Sequence, residues 1–107
     1  MITCLRTVGV PSHERERYLA WIAEGRAMRE RHGILAEWVL EPSSGKGNLV
    51  VITVWPSHKV FDAWITTPER DALTASEVHR AVAYQPITRY DIVGGYTAAA
   101  LIEEVIS

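Results

Sequence analysis

The sequence predicts an α+β fold of the ferredoxin-like βαββαβ type, a sandwich of one four-stranded antiparallel sheet with its helices on one face. Three observations lead there. Residues 48–55 carry Leu49, Val50, Val51, Ile52, Val54 and Trp55 without a breaker, so this strand is apolar on both parities and both its faces need cover. Proline or glycine closes elements at Pro11, Gly33 and Pro56. The segments so delimited run strand, helix, strand, strand, helix pair, strand, and right-handed crossovers fold that order into one sheet.

Residues 1–10 form the first strand, with Ile2, Cys4 and Arg6 on one parity and Leu5 on the other. Pro11 stops it. A helix over residues 12–32 follows, with Ser12 as its cap and Glu14 and Glu16 at the positive end of its dipole. Arg15 stands where a capping box would need an acid, so the start rests on Pro11, Ser12 and the charges. Tyr18, Leu19, Trp21, Ile22, Ala27 and Met28 make the helix's apolar stripe. Arg26, Arg29 and Arg31, interspersed with Glu24 and Glu30, read as a solvated face. Gly33 supplies a left-handed exit.

The second strand spans residues 34–41, with Ala36, Trp38 and Leu40 on one face and Glu37, Val39 and Glu41 on the other. Pro42-Ser43-Ser44-Gly45-Lys46-Gly47 returns the chain into the strand at 48–55 as an antiparallel hairpin. Ser57 caps a short helix over residues 59–65, and Thr67-Pro68 starts another that runs from 69 to about 79 or 82. Gln85-Pro86 breaks it. Residues 87–93 make the last strand, ending at Gly94-Gly95-Tyr96, and residues 97–107 suit either a helix or an extension of that strand.

The sheet face without helices is expected to carry Glu37, Val39, Leu49, Val51 and Trp55, too apolar a set to stay wet. Burying it on an identical sheet makes a homodimer, a dimeric α/β barrel. The 107 residues suit one domain over 1–107, with a core to residue 96 and an extension beyond it. A net charge of −2 and the lack of basic runs argue against nucleic acid. Cys4 has no disulfide partner and reads as a small buried hydrophobe. No apolar run of membrane-spanning length and no secretory leader are visible, so a cytoplasmic protein is expected. Neither the order of Ser44-Gly45-Lys46-Gly47 nor the short Gly94-Gly95 pair makes a phosphate or dinucleotide loop, and no histidine pair has metal-ligand spacing. The expectation is therefore no cofactor and no metal.

The run Ile52-Thr53-Val54-Trp55-Pro56-Ser57-His58-Lys59-Val60-Phe61-Asp62-Ala63-Trp64-Ile65 resembles the antibiotic biosynthesis monooxygenase family, which shares a strand ending in Trp, a Ser at the helix start, a Phe and an Ala-Trp pair. Arg31-His32-Gly33-Ile34 and Arg89-Tyr90-Asp91-Ile92-Val93 add to the likeness, which covers residues 1–96. It implies a homodimer with a pocket between each subunit's helices and its own sheet. It also implies oxidation of a hydrophobic, aromatic or polyketide-like phenolic molecule by O2. The same superfamily holds haem-degrading enzymes, whose pattern wants an Asn near the end of the first strand and a His ten residues after the Trp. Here Arg6 and Thr7 stand at the first place and Thr74 at the second, so haem degradation is the poorer match.

Four residues are the candidates for chemistry. Trp64 is a core anchor by its spacing with Phe61 and Ile65, and the resemblance implies that it also lines the cavity. Arg6 faces inward by parity, either to pair with Asp91 or Glu37 across the sheet or to stabilise a phenolate. His79 and Tyr84 are the candidates to move the proton that a phenol must lose before it can reduce O2. His13, His32 and His58 sit near helix ends and read as surface or capping groups, and Arg89 is a weaker candidate for the anion. A non-catalytic dimer that binds a small molecule in the same cavity is the alternative. A cavity sealed by Trp38, Trp64 and Met28 without polar groups would favour binding; one holding Arg6 with a histidine or tyrosine would favour an enzyme.

Overall fold

A computed structural model describes residues 1–98 and has the predicted α+β order. β1 (Ile2–Gly9) leads through a 3-10 turn (Ser12–Glu14) into α1 (Arg15–Glu24) and α2 (Arg26–Arg31). β2 (Ala36–Leu40) and β3 (Leu49–Trp55) form the hairpin, and α3 (His58–Ile65), α4 (Pro68–Thr74) and α5 (Glu77–Arg80) follow. β4 (Ala83–Tyr84) and β5 (Thr88–Asp91) finish the sheet, whose order is β2-β3-β1 with β4 and β5 both on the far side of β1, all antiparallel. The tail, expected as helix or strand, lies almost wholly outside the described residues; Thr97 and Ala98 have no regular structure.

The local signals explain most element ends. Gly33 is left-handed at φ 102°, and the Ile34 N–H reaches back to the Arg29 carbonyl at 3.1 Å while the Gly33 N–H reaches Glu30 at 3.0 Å, closing α2 as a Schellman motif. Ser57 and Thr67 cap α3 and α4, accepting from the Val60 and Arg70 N–H groups at 3.2 Å each. Ser12 does not cap. It opens the 3-10 turn instead, and α1 begins three residues later.

Three expectations need correction. The long first helix is broken at Gly25, because the Arg29 guanidinium folds back over the chain there; a Cβ on Gly25 would meet Arg29 Nη1 at 2.5 Å. The second helical stretch likewise breaks, with Ser76 capping α5 by accepting from His79 N at 3.2 Å. The fourth strand is in two pieces. Val8 pairs with Tyr84 but Leu5 with Thr88, so three residues, Gln85 to Ile87, oppose two on β1 and form a bulge at Pro86, which has no N–H to pair.

The assignment of sheet faces was also inverted. Strand pairing puts Ile2, Cys4, Arg6 and Val8 on one face with Leu49, Val51, Thr53 and Trp55 and with Glu37 and Val39, and this is the face under the helices. The other face holds Ala36, Trp38 and Leu40 with Val50, Ile52 and Val54; Trp38 is 41% and Leu40 47% exposed. The prediction that one apolar face lacks cover within the chain stands for the described residues, but its residues are the opposite parity from those expected.

The core under the helices has two parts. Val8, Val10, Tyr18, Ile22, Leu49 and Val82 pack at one end of the sheet, and Ile2, Cys4, Trp55, Phe61 and Trp64 at the other. Arg29 joins this interior rather than the solvated face expected of it, since it is only 8% exposed. Its Nε lies 2.7 Å from Glu37 Oε2, its Nη2 donates to Glu37 Oε1 at 2.9 Å and to the Ile22 carbonyl. A fork-to-fork pair of this kind satisfies both ions where either alone would be costly.

Candidate active site

Between the helices and the sheet lies a cavity of about 150 Å³. Its wall at one end is aromatic. Trp55, fully buried at the end of β3, meets Phe61 edge-on at 5.3 Å and stacks with Trp64 at 6.3 Å, and its indole N–H donates to Thr53 Oγ1 at 2.9 Å. The spacing of Phe61 and Trp64 on α3 turns both toward the sheet, and the outer side of Trp64 is covered by the His32 ring at 5.1 Å.

The other end is polar. Arg6, from the middle of β1, places its guanidinium carbon 5.2 Å from the centroid of the Tyr84 ring. Tyr84 comes from β4 and stacks on His79 of α5 at 4.3 Å with 22° between the planes; Trp21 of α1 covers His79 from another side at 5.6 Å. Tyr18, from α1, and Arg70, from the first turn of α4, complete this end of the wall. The bulge at Pro86 permits the juxtaposition, because it lets β4 keep Tyr84 beside Val8 while β5 follows the rest of β1.

All four predicted residues, Arg6, Trp64, His79 and Tyr84, therefore line one cavity. Neither ion pair expected of Arg6 forms. Glu37 is taken by Arg29, and Asp91 is bound to His58 Nε2 at 2.9 Å at the surface, so Arg6 Nε is buried without a hydrogen-bond partner. Arg89 is used structurally: it pairs with Asp62 at 2.7 Å and lies 4.7 Å from the Phe61 centroid, tying β5 to α3. His32 pairs with Glu69 and His58 with Asp91, in keeping with surface roles, while His13 approaches Glu14 at 3.9 Å. Trp38 is on the outer face and is no part of the cavity. Sequence reasoning missed Tyr18 and Arg70. Tyr18 was hidden in an apolar stripe where only its hydroxyl set it apart, and Arg70 looked like one more charge on an exposed helix.

Burial and the two arginines set the protonation states. His79 is held below the usual imidazole range, first by burial and then by the charges of Arg6 and Arg70, so it is neutral at neutral pH. Burial pushes the Tyr18 phenol up to about 12 and drives Tyr84 higher still, with help from the neighbouring Tyr18 phenol. Burial and Arg70 lower Arg6, though a guanidinium stays charged near neutrality. Cys4 is raised by burial, against a nucleophilic role. One end of the cavity thus offers a neutral base, two fixed cations and two neutral phenols; the other offers an indole surface.

The residues do not fit haem. Thr74 lines the cavity where an iron ligand would be needed, and its hydroxyl donates to the Asp71 carbonyl at 3.1 Å. Among the described residues no group of three or more His, Cys, Asp or Glu side chains is placed to hold a metal ion, and no helix is long and apolar enough to cross a membrane.

No family model matches the chain, and no curated protein matches it. Solved structures do. The haem-degrader MhuD from Mycobacterium tuberculosis, with two haems in its active site, superposes with a TM-score of 0.73 at 19% identity, over 91% of this chain and all 100% of that one. An asparagine-to-alanine mutant of SnoaB, a cofactor-independent oxygenase from Streptomyces nogalater, gives 0.74 at 17% identity over 88% and 94% of the two chains. An antibiotic biosynthesis monooxygenase gives 0.68 at 17% identity over 88% and 100%. At such identities the likeness is one of fold: the chain has the α+β, ferredoxin-like architecture with an antiparallel sheet that these oxygenases and haem-degraders share.

Proposed function

We propose that this chain is a cofactor-independent monooxygenase that oxidises a phenolic aromatic molecule with O2. The observation that carries the reading is the meeting of a neutral His79 with an unpaired Arg6 at one end of an aromatic-walled cavity. A buried cation without a carboxylate is costly, and a site that generates an anion offsets the cost when it is occupied. The fold's occurrence in SnoaB, an oxygenase that works without a cofactor, supports the reading by analogy.

The chemistry asks little else of the protein. Trp64 packs on the face of the ring, His79 takes the phenol proton, and Arg6 stabilises the phenolate. The phenolate gives one electron to O2, and the resulting radical pair closes a C–O bond at the ring carbon para to the phenolate oxygen. The distal peroxide oxygen then leaves as water, the oxygen–oxygen bond broken and the ring C–H proton lost while the proximal oxygen stays as the second carbonyl. One phenol and one O2 thus give one quinone and one water. Tyr84 and Tyr18, neutral across the physiological range, are placed to return a proton to the peroxide. The cavity is small beside the ~300–1,000 Å³ of drug-sized ligand sites, which favours a one- or two-ring phenol over a larger one without movement of α3 to α5.

Oxygen uptake by chelator-treated protein with a panel of hydroquinones, naphthols and hydroxynaphthoates tests the proposal. Uptake that disappears in Arg6→Ala and falls in Trp64→Phe is expected; no uptake over the whole panel contradicts it and favours the binding dimer. The reading includes a homodimer formed by the outer sheet faces, where Trp38, Leu40 and Tyr90 are exposed. Sedimentation is expected to give twice 12.0 kDa at micromolar concentration, and a strict monomer contradicts it.

A further inference from the structure

The charge balance of the cavity is unlike that of the molecule. The chain carries a net −2, yet three arginines and only one carboxylate line the cavity. Arg29 and Glu37 cancel each other in their forked pair. Arg6 and Arg70 remain. Neither has an ion-pair partner among the described residues, both are half-buried, and they repel one another closely enough for Arg70 to act on both Arg6 and His79. Three of the acids on the flanking elements are engaged elsewhere: Glu69 holds His32, Asp62 holds Arg89, and Asp91 holds His58.

Two like charges facing one small cavity raise the energy of the empty protein, and a ligand anion between them lowers it. A phenolate alone is a poor match, because it presents one oxygen and exists only during turnover. A carboxylate presents two oxygens, is charged throughout at neutral pH, and suits guanidinium forks. Resting on the oxygenase reading for its aromatic half, we propose that the cavity's ligand is an aromatic carboxylate, held by its ring against Trp64 and by its carboxylate between Arg70 and Arg6. Arg70 is then a specificity-determining residue: it selects acidic phenols from neutral ones, and Arg6 serves both the carboxylate and the developing phenolate.

Naphthoate and naphthamide share their ring and differ in charge, so their affinities isolate the two-arginine subsite. Titration followed by tryptophan fluorescence, at fixed ionic strength, is expected to give at least tenfold tighter binding of naphthoate to the wild-type protein. Arg70→Gln, with unchanged circular dichroism, is expected to reduce that preference below twofold, and Arg70→Lys to recover part of it. Equal affinities, a preference that survives Arg70→Gln, or no binding of either compound at millimolar concentration overturns the proposal. A clear naphthoate preference without oxygen uptake from any naphthol or hydroxynaphthoate sinks the oxygenase reading and leaves the subsite. Uptake from neutral naphthol that naphthoate does not inhibit does the reverse.

Discussion

The two ends of the cavity are built on opposite principles. At the Trp55–Phe61–Trp64 end every ring is buried, the rings pack on one another and on aliphatic neighbours, and the Trp55 indole N–H has its partner in Thr53. At the Arg6–His79–Tyr84 end the side chains are half-buried, an arginine nitrogen lacks a hydrogen bond, and the charges repel. The first end is what a stable core looks like. The second spends stability that the first supplies, and polar groups left unsatisfied inside a protein point to function. The contrast also separates the Arg29–Glu37 pair from the site: it is charged and lines the cavity, yet each charge faces its opposite and the pair acts as structure.

If the division is real, substitutions at the two ends differ in kind. The largest loss of stability is expected from Trp55→Ala and from Arg29→Met, about 3–5 kcal/mol each by urea denaturation, the one through a cavity and the other through an orphaned Glu37. A double variant that also replaces Glu37 with Leu should recover much of the second loss, since removing both ions removes the desolvation cost. His79→Ala is expected to lower kcat by about 10²-fold or more while costing under ~1 kcal/mol of stability, the mark of a group that serves the reaction rather than the fold. Should His79→Ala unfold the protein and Trp55→Ala leave it intact, the division would be reversed.

How far this was legible in the sequence follows the same line. The aromatic end was readable, because Phe61 and Trp64 recur at helical spacing behind a good Ser57 cap and Trp55 ends an unbroken apolar strand. The residues of the polar end were readable one by one, and Arg6, His79 and Tyr84 do meet. Their surroundings were not. Glu37 was assigned to the outer face because Ala36, Trp38 and Leu40 look like the core side of β2; hydropathy along one strand cannot register that a helix arginine waits opposite the acid. Arg29 was assigned to water for the same reason. The pairing of Arg6 with Glu37 or Asp91 was excluded only by what those acids bind instead, which is a property of three elements at once.

The pH dependence sharpens the comparison further. The folded pKa of His79 lies below the unfolded value of about 6.5, so the unfolded chain binds the proton first. Its contribution to stability is whole above that value and is lost as pH falls through the window from about 6.5 down to the folded pKa. The rate should hold to below pH 6.5 for the same reason and then fall on the acid side as His79 protonates; Arg70→Gln, which removes one repelling charge, should move that acid limb upward. The smallest effect is expected at Tyr84→Phe. Its hydroxyl is buried with only the Tyr18 phenol as a polar neighbour, so deleting it should change stability by no more than about 1 kcal/mol, measured by urea denaturation.

The most direct measurement is the stoichiometry of oxygen use by the metal-free protein with α-naphthol, followed at an oxygen electrode with peroxide assayed in parallel. The account predicts one O2 consumed per quinone formed and no accumulation of hydrogen peroxide, at a rate that collapses in His79→Ala. Hydrogen peroxide released in step with oxygen uptake, or a rate no faster than in buffer alone, would contradict it.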